Sequence, residues 1–246
     1  MRNEVLEFRR VRLYPWISLV ILAALSLSTI VAGYFPSPFY VGEHVATKAG
    51  ATTITALIFA LVFTWAIILT PVIAASQKMG SFISLYRINF KVVDLAWGLG
   101  ILVANAVFGV VWNQICLGLG WIAKKDKVGN VSEFVTANTH RWGVLIIVLG
   151  AVIAPLCEEL YFRGLLYSTL RLRFRTFFAV VISATCFTLV HVQGERIGDL
   201  TTLPIILILG CLLAYVREKT DRLTPTICGH MMINLVAYIS ALYFVK

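Results

Sequence analysis

Hydrophobic residues in this chain are bunched into long stretches, with few polar positions inside them. One of these stretches reads Val-Leu-Ile-Ile-Val-Leu-Gly-Ala-Val-Ile-Ala-Pro-Leu from residue 144. Stretches of this kind approach the roughly 20 residues with which an α-helix crosses a hydrocarbon core of about 30 Å. They predict transmembrane helices at 16–34, 51–75, 92–117, 143–168, 176–197, 200–216 and 223–245.

The predicted fold is therefore all-α, a polytopic bundle of seven transmembrane helices. An eighth helix is an alternative, because 81–90 or 130–140 could form an interfacial helix and the stretches could be divided differently. We expect one integral membrane domain. Within it, residues 1–139 hold the amino-terminal helices and loops, and residues 140–246 hold the helical core that carries the candidate chemistry.

The composition agrees with a membrane protein. Hydrophobic residues make up 59% of the 246 residues and charged residues 13%, with a mean hydropathy of +0.87, whereas an ordinary globular chain is about half apolar and about a quarter charged. A disordered chain, a nucleic-acid-binding domain and a disulfide-stapled secreted fold are excluded. The odd number of cysteines gives no disulfide framework, and we predict them to be small core residues. They are Cys116, Cys157, Cys186, Cys211 and Cys228.

The net charge of +9 predicts loops that lie on anionic lipid, so membrane lipids are expected partners and nucleic acid is not. Lys and Arg are more numerous in the predicted loops on the side of the amino terminus than on the other side. The positive-inside rule then favours a cytoplasmic amino terminus.

Three ionisable residues interrupt one predicted span, where each charge costs on the order of 3 kcal/mol. Glu159 and Arg163 are four residues apart and share a helix face, so they can form an ion pair that is mainly structural. Glu158 points about 100° away from that pair and is free for another role. Pro155 removes one helix hydrogen bond and can open the backbone near the carboxylates.

Two later spans each carry a histidine with a partner four residues away, on the same helix face. Phe187 precedes His191, and Asn234 follows His230. Phe187 is interpreted as a packing residue that forms a wall beside the imidazole.

The depth of these residues in the membrane provides a second test. At about 1.5 Å per residue, counted from the basic turns 171–175 and 217–222, Glu158, His191 and Asn234 lie roughly 22, 27 and 21 Å deep. The carboxylate of Glu158, the imidazole of His191 and the amide of Asn234 are thus predicted to lie at a similar depth in the membrane.

At these residues the sequence resembles the CAAX protease and bacteriocin-processing family, also called the Abi or type II CAAX prenyl endopeptidase-like family of intramembrane glutamic proteases. The family motifs Glu-Glu-x-x-x-Arg, Phe-x-x-x-His and His-x-x-x-Asn/Asp all stand here in order. They are Glu158-Glu159 with Arg163, Phe187 with His191, and His230 with Asn234. The resemblance covers roughly residues 140–245.

The resemblance implies hydrolysis of peptide bonds by a glutamate-activated water, in a cavity between helices. It assigns water activation to Glu158 with His191, and support of the oxyanion to His230 and Asn234, while Glu159 and Arg163 shape the site. The implied substrates are membrane-associated peptides or proteins, of prenylated CAAX type or of leader or bacteriocin type. No cofactor is implied.

Three alternatives remain at this point. Glu158, His191 and His230 could bind zinc, since two histidines and a glutamate form a known catalytic set, although no His-Glu-x-x-His motif is present. Buried Glu and His could also form the relay of a proton-coupled transporter. The last alternative is a non-catalytic scaffold or immunity protein that binds a peptide toxin.

Overall fold

The computed structural model of the protein describes residues 65–77, 86–121, 147–191 and 197–244, together with positions 16, 17, 20, 144 and 145. All regular structure in these residues is helical, as predicted. The main helices are α1 (Trp65–Gln77), α2 (Val93–Gly118), α3 (Val148–Arg171, in four consecutive segments), α4 (Thr176–Leu189), α5 (Ile197–Thr220) and α6 (Thr224–Phe244).

Two stretches of helix among the described residues are long and apolar enough to cross a membrane, namely Val93–Gly118 and Thr201–Thr220. Helices α1 and α4 are apolar but shorter. The predicted span 16–34, apart from three positions, and the first part of the predicted span 51–75 lie outside the described residues.

Helix α3 changes its winding on both sides of the paired glutamates. It is π-helical at Val148–Ile153, α-helical at Ala154–Glu159, π-helical again at Leu160–Tyr167 and α-helical at Ser168–Arg171. Pro155 lacks an N–H and cannot donate the usual bond to the carbonyl four residues earlier. The helix widens instead of breaking, and such π turns are frequent at functional sites.

Helix α4 ends earlier than the predicted span 176–197. The N–H of Val190 still donates to Cys186 O at 3.3 Å, but the N–H of His191 donates to Thr188 O at 3.0 Å. This tighter bond, which spans three residues, closes the helix at Leu189. His191 therefore lies in the turn that follows α4.

Small residues let the other helices approach α6 and α4 closely. A Cβ added at Gly98 of α2 would lie 3.1 Å from the backbone nitrogen of Gly229 on α6, and one added at Gly210 of α5 would lie 3.0 Å from the Cα of Ala184 on α4. Gly229 therefore serves the contact with α2. Helix α3 runs through the middle, with Tyr161, Phe162, Leu165 and Leu166 buried in the main apolar core.

The helix ends at one side of the bundle, which we call the ionic end, are held by short ion pairs. Buried Asp94, at the start of α2, lies 2.6 Å from Arg222 Nη2 and 2.7 Å from the Thr224 hydroxyl at the start of α6. Both of its carboxylate oxygens contact Arg222, and the backbone N–H of Lys91 also donates to it. This group joins α2 to α6.

A second carboxylate at the ionic end joins α3, α4 and α5. Glu218 accepts hydrogen bonds from Arg171 Nε and Nη2, both at 3.0 Å, from the Tyr167 hydroxyl at 2.7 Å and from the Thr176 hydroxyl at 2.8 Å. Each helix end at this side thus has a charged or hydroxyl partner on a neighbouring helix.

Candidate active site

Glu159 lies at the centre of a fully buried polar group. Its Oε1 is 2.7 Å from Arg163 Nη1, with both side chains at 0% exposure, which confirms the predicted ion pair. The same oxygen is 2.9 Å from Nδ1 of His230 on α6. Glu159 therefore orients a histidine as well as neutralising an arginine.

Arg163 is held from three directions. Beyond Glu159, its Nη2 donates to the carbonyl oxygen of Gly210 on α5 at 3.3 Å. Its guanidinium carbon lies 4.3 Å from the centre of the Phe187 ring on α4, within the range of a cation–π contact. One buried arginine thus connects α3 with α4 and α5.

Glu158 faces the other way, towards both motif histidines. Its Oε2 is 3.9 Å from Nε2 of His191 and 3.7 Å from Nε2 of His230. These distances exceed those of direct hydrogen bonds. Oε2 is buried and makes no hydrogen bond in the described part of the chain. The side chains are 16% exposed for Glu158, 32% for His191 and 3% for His230, so the group is open on the His191 side.

The partners of the two imidazoles define which nitrogen carries a proton. Nδ1 of His191 lies 2.7 Å from the carbonyl oxygen of Phe187, and Nδ1 of His230 lies 2.9 Å from the carboxylate of Glu159. Both of these oxygens can only accept, so each Nδ1 is the donor. In the neutral ring, each Nε2 then presents its lone pair towards Glu158.

Phe187 packs beside the imidazole of His191, as predicted, and it also contacts the imidazole of His230. Its ring centre is 4.6 Å from that of His191 and 5.6 Å from that of His230. Its carbonyl, left without a helix partner near the end of α4, receives Nδ1 of His191. The Phe-x-x-x-His motif therefore fixes the imidazole through both the ring and the backbone of one residue.

Asn234 lies one turn beyond His230, where its Nδ2 donates to the carbonyl oxygen of Gly150 on α3 at 2.9 Å. Glu158, His191 and His230 are therefore brought together within 4 Å, while Asn234 is held beside them against the π-helical part of α3. Among the described residues, no group of three or more His, Cys, Asp or Glu side chains is arranged to hold a metal ion.

Several contacts of the site were not anticipated from the sequence. The carbonyls of Gly150 and Gly210 are acceptors that any residue would supply, so residue type gives no signal for them. The bond from His230 to Glu159 joins residues 71 positions apart. Tyr238, whose hydroxyl contacts Gly150, had an available signal, because it follows Asn234 by four residues on the same helix face.

Comparisons with known proteins cover the segment that holds this site. Residues 140–236 match the model of a family described as type II CAAX prenyl endopeptidase Rce1-like. This segment is similar to the Rce1-like family. The resemblance found through the three motifs is thereby confirmed for the Rce1-like segment, which contains every motif residue.

Two curated proteins are similar to the chain. The "Putative membrane peptidase YdiL" of Bacillus subtilis (strain 168) is 30% identical over 98 residues, which are 40% of this chain and 38% of that protein. The "UPF0177 protein YbdI" of Lactococcus lactis subsp. lactis (strain IL1403) is 29% identical over 131 residues, 52% of this chain and 67% of that protein. The chain thus spans well under half the length of YdiL. No solved structure matches the chain.

Proposed function

We propose that the protein is an intramembrane endopeptidase of the glutamic type, in which Glu158 activates water together with one of the two histidines that face it, His191 or His230. His230, for which the resemblance implies support of the oxyanion, is an acceptor in this proposal because its Nδ1 donates to Glu159. The observation that carries this proposal is the convergence of two Nε2 atoms on one buried, unpaired carboxylate oxygen. The Rce1-like match and the name of the Bacillus relative support a membrane protease.

The distances at Glu158 suit a bridging water. Polar atoms 3.7 and 3.9 Å apart are too far for a direct bond, but one water between Glu158 Oε2 and one Nε2 can donate an O–H to each of them. A carboxylate oxygen and an imidazole lone pair both accept, so together they orient and polarise the two O–H bonds of that water. Its oxygen lone pair is then free to attack a carbonyl carbon.

The proposed reaction is a balanced hydrolysis. The water oxygen bonds to the carbonyl carbon while one of its protons passes to Glu158, and the carbonyl π electrons move onto the oxygen. When the oxyanion collapses, the C–N bond breaks and Glu158 returns the proton to the leaving nitrogen, which departs as an amine. The other product is the new carboxyl group. Asn234, whose NH₂ has a second hydrogen beyond that given to Gly150, is the proposed donor to the oxyanion.

Glu159 and Arg163 are proposed as positioning residues. The bond from His230 to Glu159 fixes the ring so that Nε2 faces Glu158, and Arg163 balances the charge of Glu159. A buried pair of this kind holds its geometry because every displacement would leave a charge without a partner. Phe187 is likewise proposed as a positioning residue, because its carbonyl oxygen binds Nδ1 of His191 and orients that ring.

The membrane topology of the chain and the class of its substrate are proposed from the sequence pattern. We propose a chain that crosses the membrane seven times with a cytoplasmic amino terminus, and a substrate that is a membrane-associated peptide or protein of CAAX, leader or bacteriocin type. Zinc is not needed for the steps above, because side chains supply the base that activates the water and the donor to the oxyanion.

The deciding experiment replaces Glu158 with Gln, which keeps the size of the side chain and removes its basicity. The probes are two internally quenched peptides with a carboxyl-terminal CAAX-type sequence, one farnesylated and one not, offered to purified protein in lipid–detergent micelles. We expect cleavage to fall by at least about 10³-fold, since base and proton donor are lost together, with thermal unfolding unchanged.

The matched control is Glu218→Gln, the same substitution at a carboxylate of the ionic end. Its folded fraction should cleave at the unmodified rate. Cleavage by Glu158→Gln at that same rate would refute the glutamic mechanism. Absence of cleavage of both probes by the unmodified protein would refute the activity proposed here.

A further inference from the structure

We propose that Tyr238 is a further catalytic residue, whose hydroxyl donates a hydrogen bond to the carbonyl oxygen of the scissile bond beside Asn234. The inference rests on the proposed function and adds to it a second donor for the oxyanion. Its basis is the position of one phenol on α6, the partners of that phenol, and the glycine opposite it.

Tyr238 continues the stripe of α6 that carries the site. It follows His230 by eight residues and Asn234 by four, so all three lie on one face of the helix. Long side chains on a helix lean towards its amino terminus. The phenol of Tyr238 therefore extends back along the stripe, towards Asn234.

Gly150 provides the space for this phenol. A Cβ built on Gly150 would collide with the hydroxyl oxygen and with the Cζ of Tyr238. The carbonyl of the same glycine accepts the hydrogen bond of Asn234. One residue of α3 thus holds the amide by its carbonyl and leaves room for the phenol by having no side chain, and both groups meet at one point.

The hydroxyl of Tyr238 has no structural use in the described part of the chain. There it makes no hydrogen bond, although the side chain is half-buried. Two other buried tyrosines do have partners, since Tyr86 donates to Val72 O at 3.2 Å and Tyr167 to Glu218 at 2.7 Å. Phenols in apolar surroundings normally find a partner, so an unpaired hydroxyl at this place is free for a substrate.

Glu158 faces His230, which precedes Asn234 by one turn and Tyr238 by two turns on the same face of α6. The proposed base therefore faces this stripe of α6 at His230, and Asn234 and Tyr238 follow further along the same stripe. A peptide carbonyl that is attacked from the Glu158 side presents its oxygen to the opposite side. Two donors, one from the phenol and one from the amide, would then stabilise the charge that develops on it.

The test replaces Tyr238 with Phe, which removes only the hydroxyl, and measures kcat and KM on the two quenched CAAX-type peptides. We expect kcat to fall by about 10²-fold, as for the loss of one oxyanion donor, and KM to change by less than about twofold. The matched control is Tyr215→Phe on α5, a tyrosine with 48% exposure beside Lys219. It should leave both constants unchanged.

The outcomes separate this inference from the proposed function. Unchanged kcat in Tyr238→Phe, or a change confined to KM, overturns the oxyanion role, while loss of cleavage in Glu158→Gln still supports the glutamic mechanism. Full activity of Glu158→Gln overturns that mechanism whatever Tyr238 does. If the unmodified protein cleaves neither peptide, both proposals fall.

A second measurement does not depend on turnover. Incorporation of 3-fluorotyrosine at position 238 places a ¹⁹F label beside the hydroxyl. Glu158→Gln removes a nearby negative charge and should shift the ¹⁹F resonance, whereas Glu218→Gln at the ionic end should not. A ¹⁹F resonance that does not change in Glu158→Gln would overturn the proximity of Tyr238 to the proposed base, on which the inference depends.

Discussion

Carboxylates meet basic side chains in two regions of this molecule, and the two regions differ in how completely the carboxylates are paired. At the ionic end, Glu218 has four hydrogen bonds of 2.7–3.0 Å and Asp94 has a two-point contact with Arg222. In the candidate site, Glu158 Oε2 has its two nearest basic atoms at 3.7 and 3.9 Å and no hydrogen bond among the described residues.

The difference separates structural from chemical roles. A carboxylate that is bound directly by charged or hydroxyl donors is held in place by them and has less capacity left for a substrate or a water. A buried carboxylate that is left unpaired costs stability, so the fold retains it only where it is used for something else. The same contrast is present within one motif, because Oε1 of Glu159 is in direct contact with Arg163 and His230, at 2.7 and 2.9 Å, while the nearest basic atoms to Oε2 of adjacent Glu158 are 3.7 and 3.9 Å away.

The strongest test compares identical substitutions at these adjacent positions. Glu159→Gln leaves the buried guanidinium of Arg163 without its counter-charge, so we expect the free energy of unfolding to fall by about 3–5 kcal/mol. Glu158→Gln removes a buried carboxylate whose Oε2 makes no hydrogen bond among the described residues, so it should not lower the free energy of unfolding. Unfolding of the purified proteins in micelles measures both. Equal losses would show that the two carboxylates do not differ in role.

Asp94→Asn tests the ionic end. The substitution removes the charge that faces Arg222, a side chain with only 15% exposure, and we expect a loss of about 2–3 kcal/mol in the free energy of unfolding. Peptide cleavage by the folded fraction should be unchanged. A large fall in cleavage without a fall in stability would contradict a purely structural role for this cluster.

Glu218→Gln should have a smaller effect on the free energy of unfolding, on the order of 1 kcal/mol. Arg171 and Glu218 are 34% and 28% exposed, so solvent screens their interaction and water can replace lost bonds. Thermal unfolding checks the size of the loss. A value as large as that for Glu159→Gln would mean that exposure does not distinguish the two regions.

The smallest expected effect is that of a strong chelator on cleavage, for which we expect a change of less than about twofold. In the proposed mechanism the water is held by side chains and its reactivity comes from Glu158, so removal of metal ions should matter little. Activity measured before and after dialysis against chelator checks this. Loss of activity that zinc restores would favour the two-histidine, one-glutamate zinc site.

Much of the candidate site followed from spacing along the chain. The four-residue intervals predicted that Glu159 pairs with Arg163 and that Phe187 lies beside His191, because helix geometry places such residues on one face. Two other contacts join different helices. They are the hydrogen bond between His230 and Glu159 and the packing of Tyr238 against Gly150. Local periodicity carries no information about such contacts.

The ends and winding of the helices were also only partly predictable. Apolar length placed a helix near 176–197, but backbone hydrogen bonds end α4 at Leu189 and leave His191 in a turn. Pro155 predicted a disturbed backbone, and the disturbance takes the form of π-helical winding on both sides of Ala154–Glu159. The end of α4 and the winding of α3 depend on which backbone carbonyls receive a hydrogen bond. Neighbouring helices supply some of the donors.

The sequence by itself determined the helical class, the apolar segments and the types of group available for chemistry, because burial in lipid and helix periodicity act on residues in order along the chain. Only the tertiary structure decided which glutamate is in direct contact with basic side chains. Glu158 and Glu159 are the same residue type in adjacent positions, and their difference arises from Arg163 on one face of α3 and from the approach of His191 and His230 on the other.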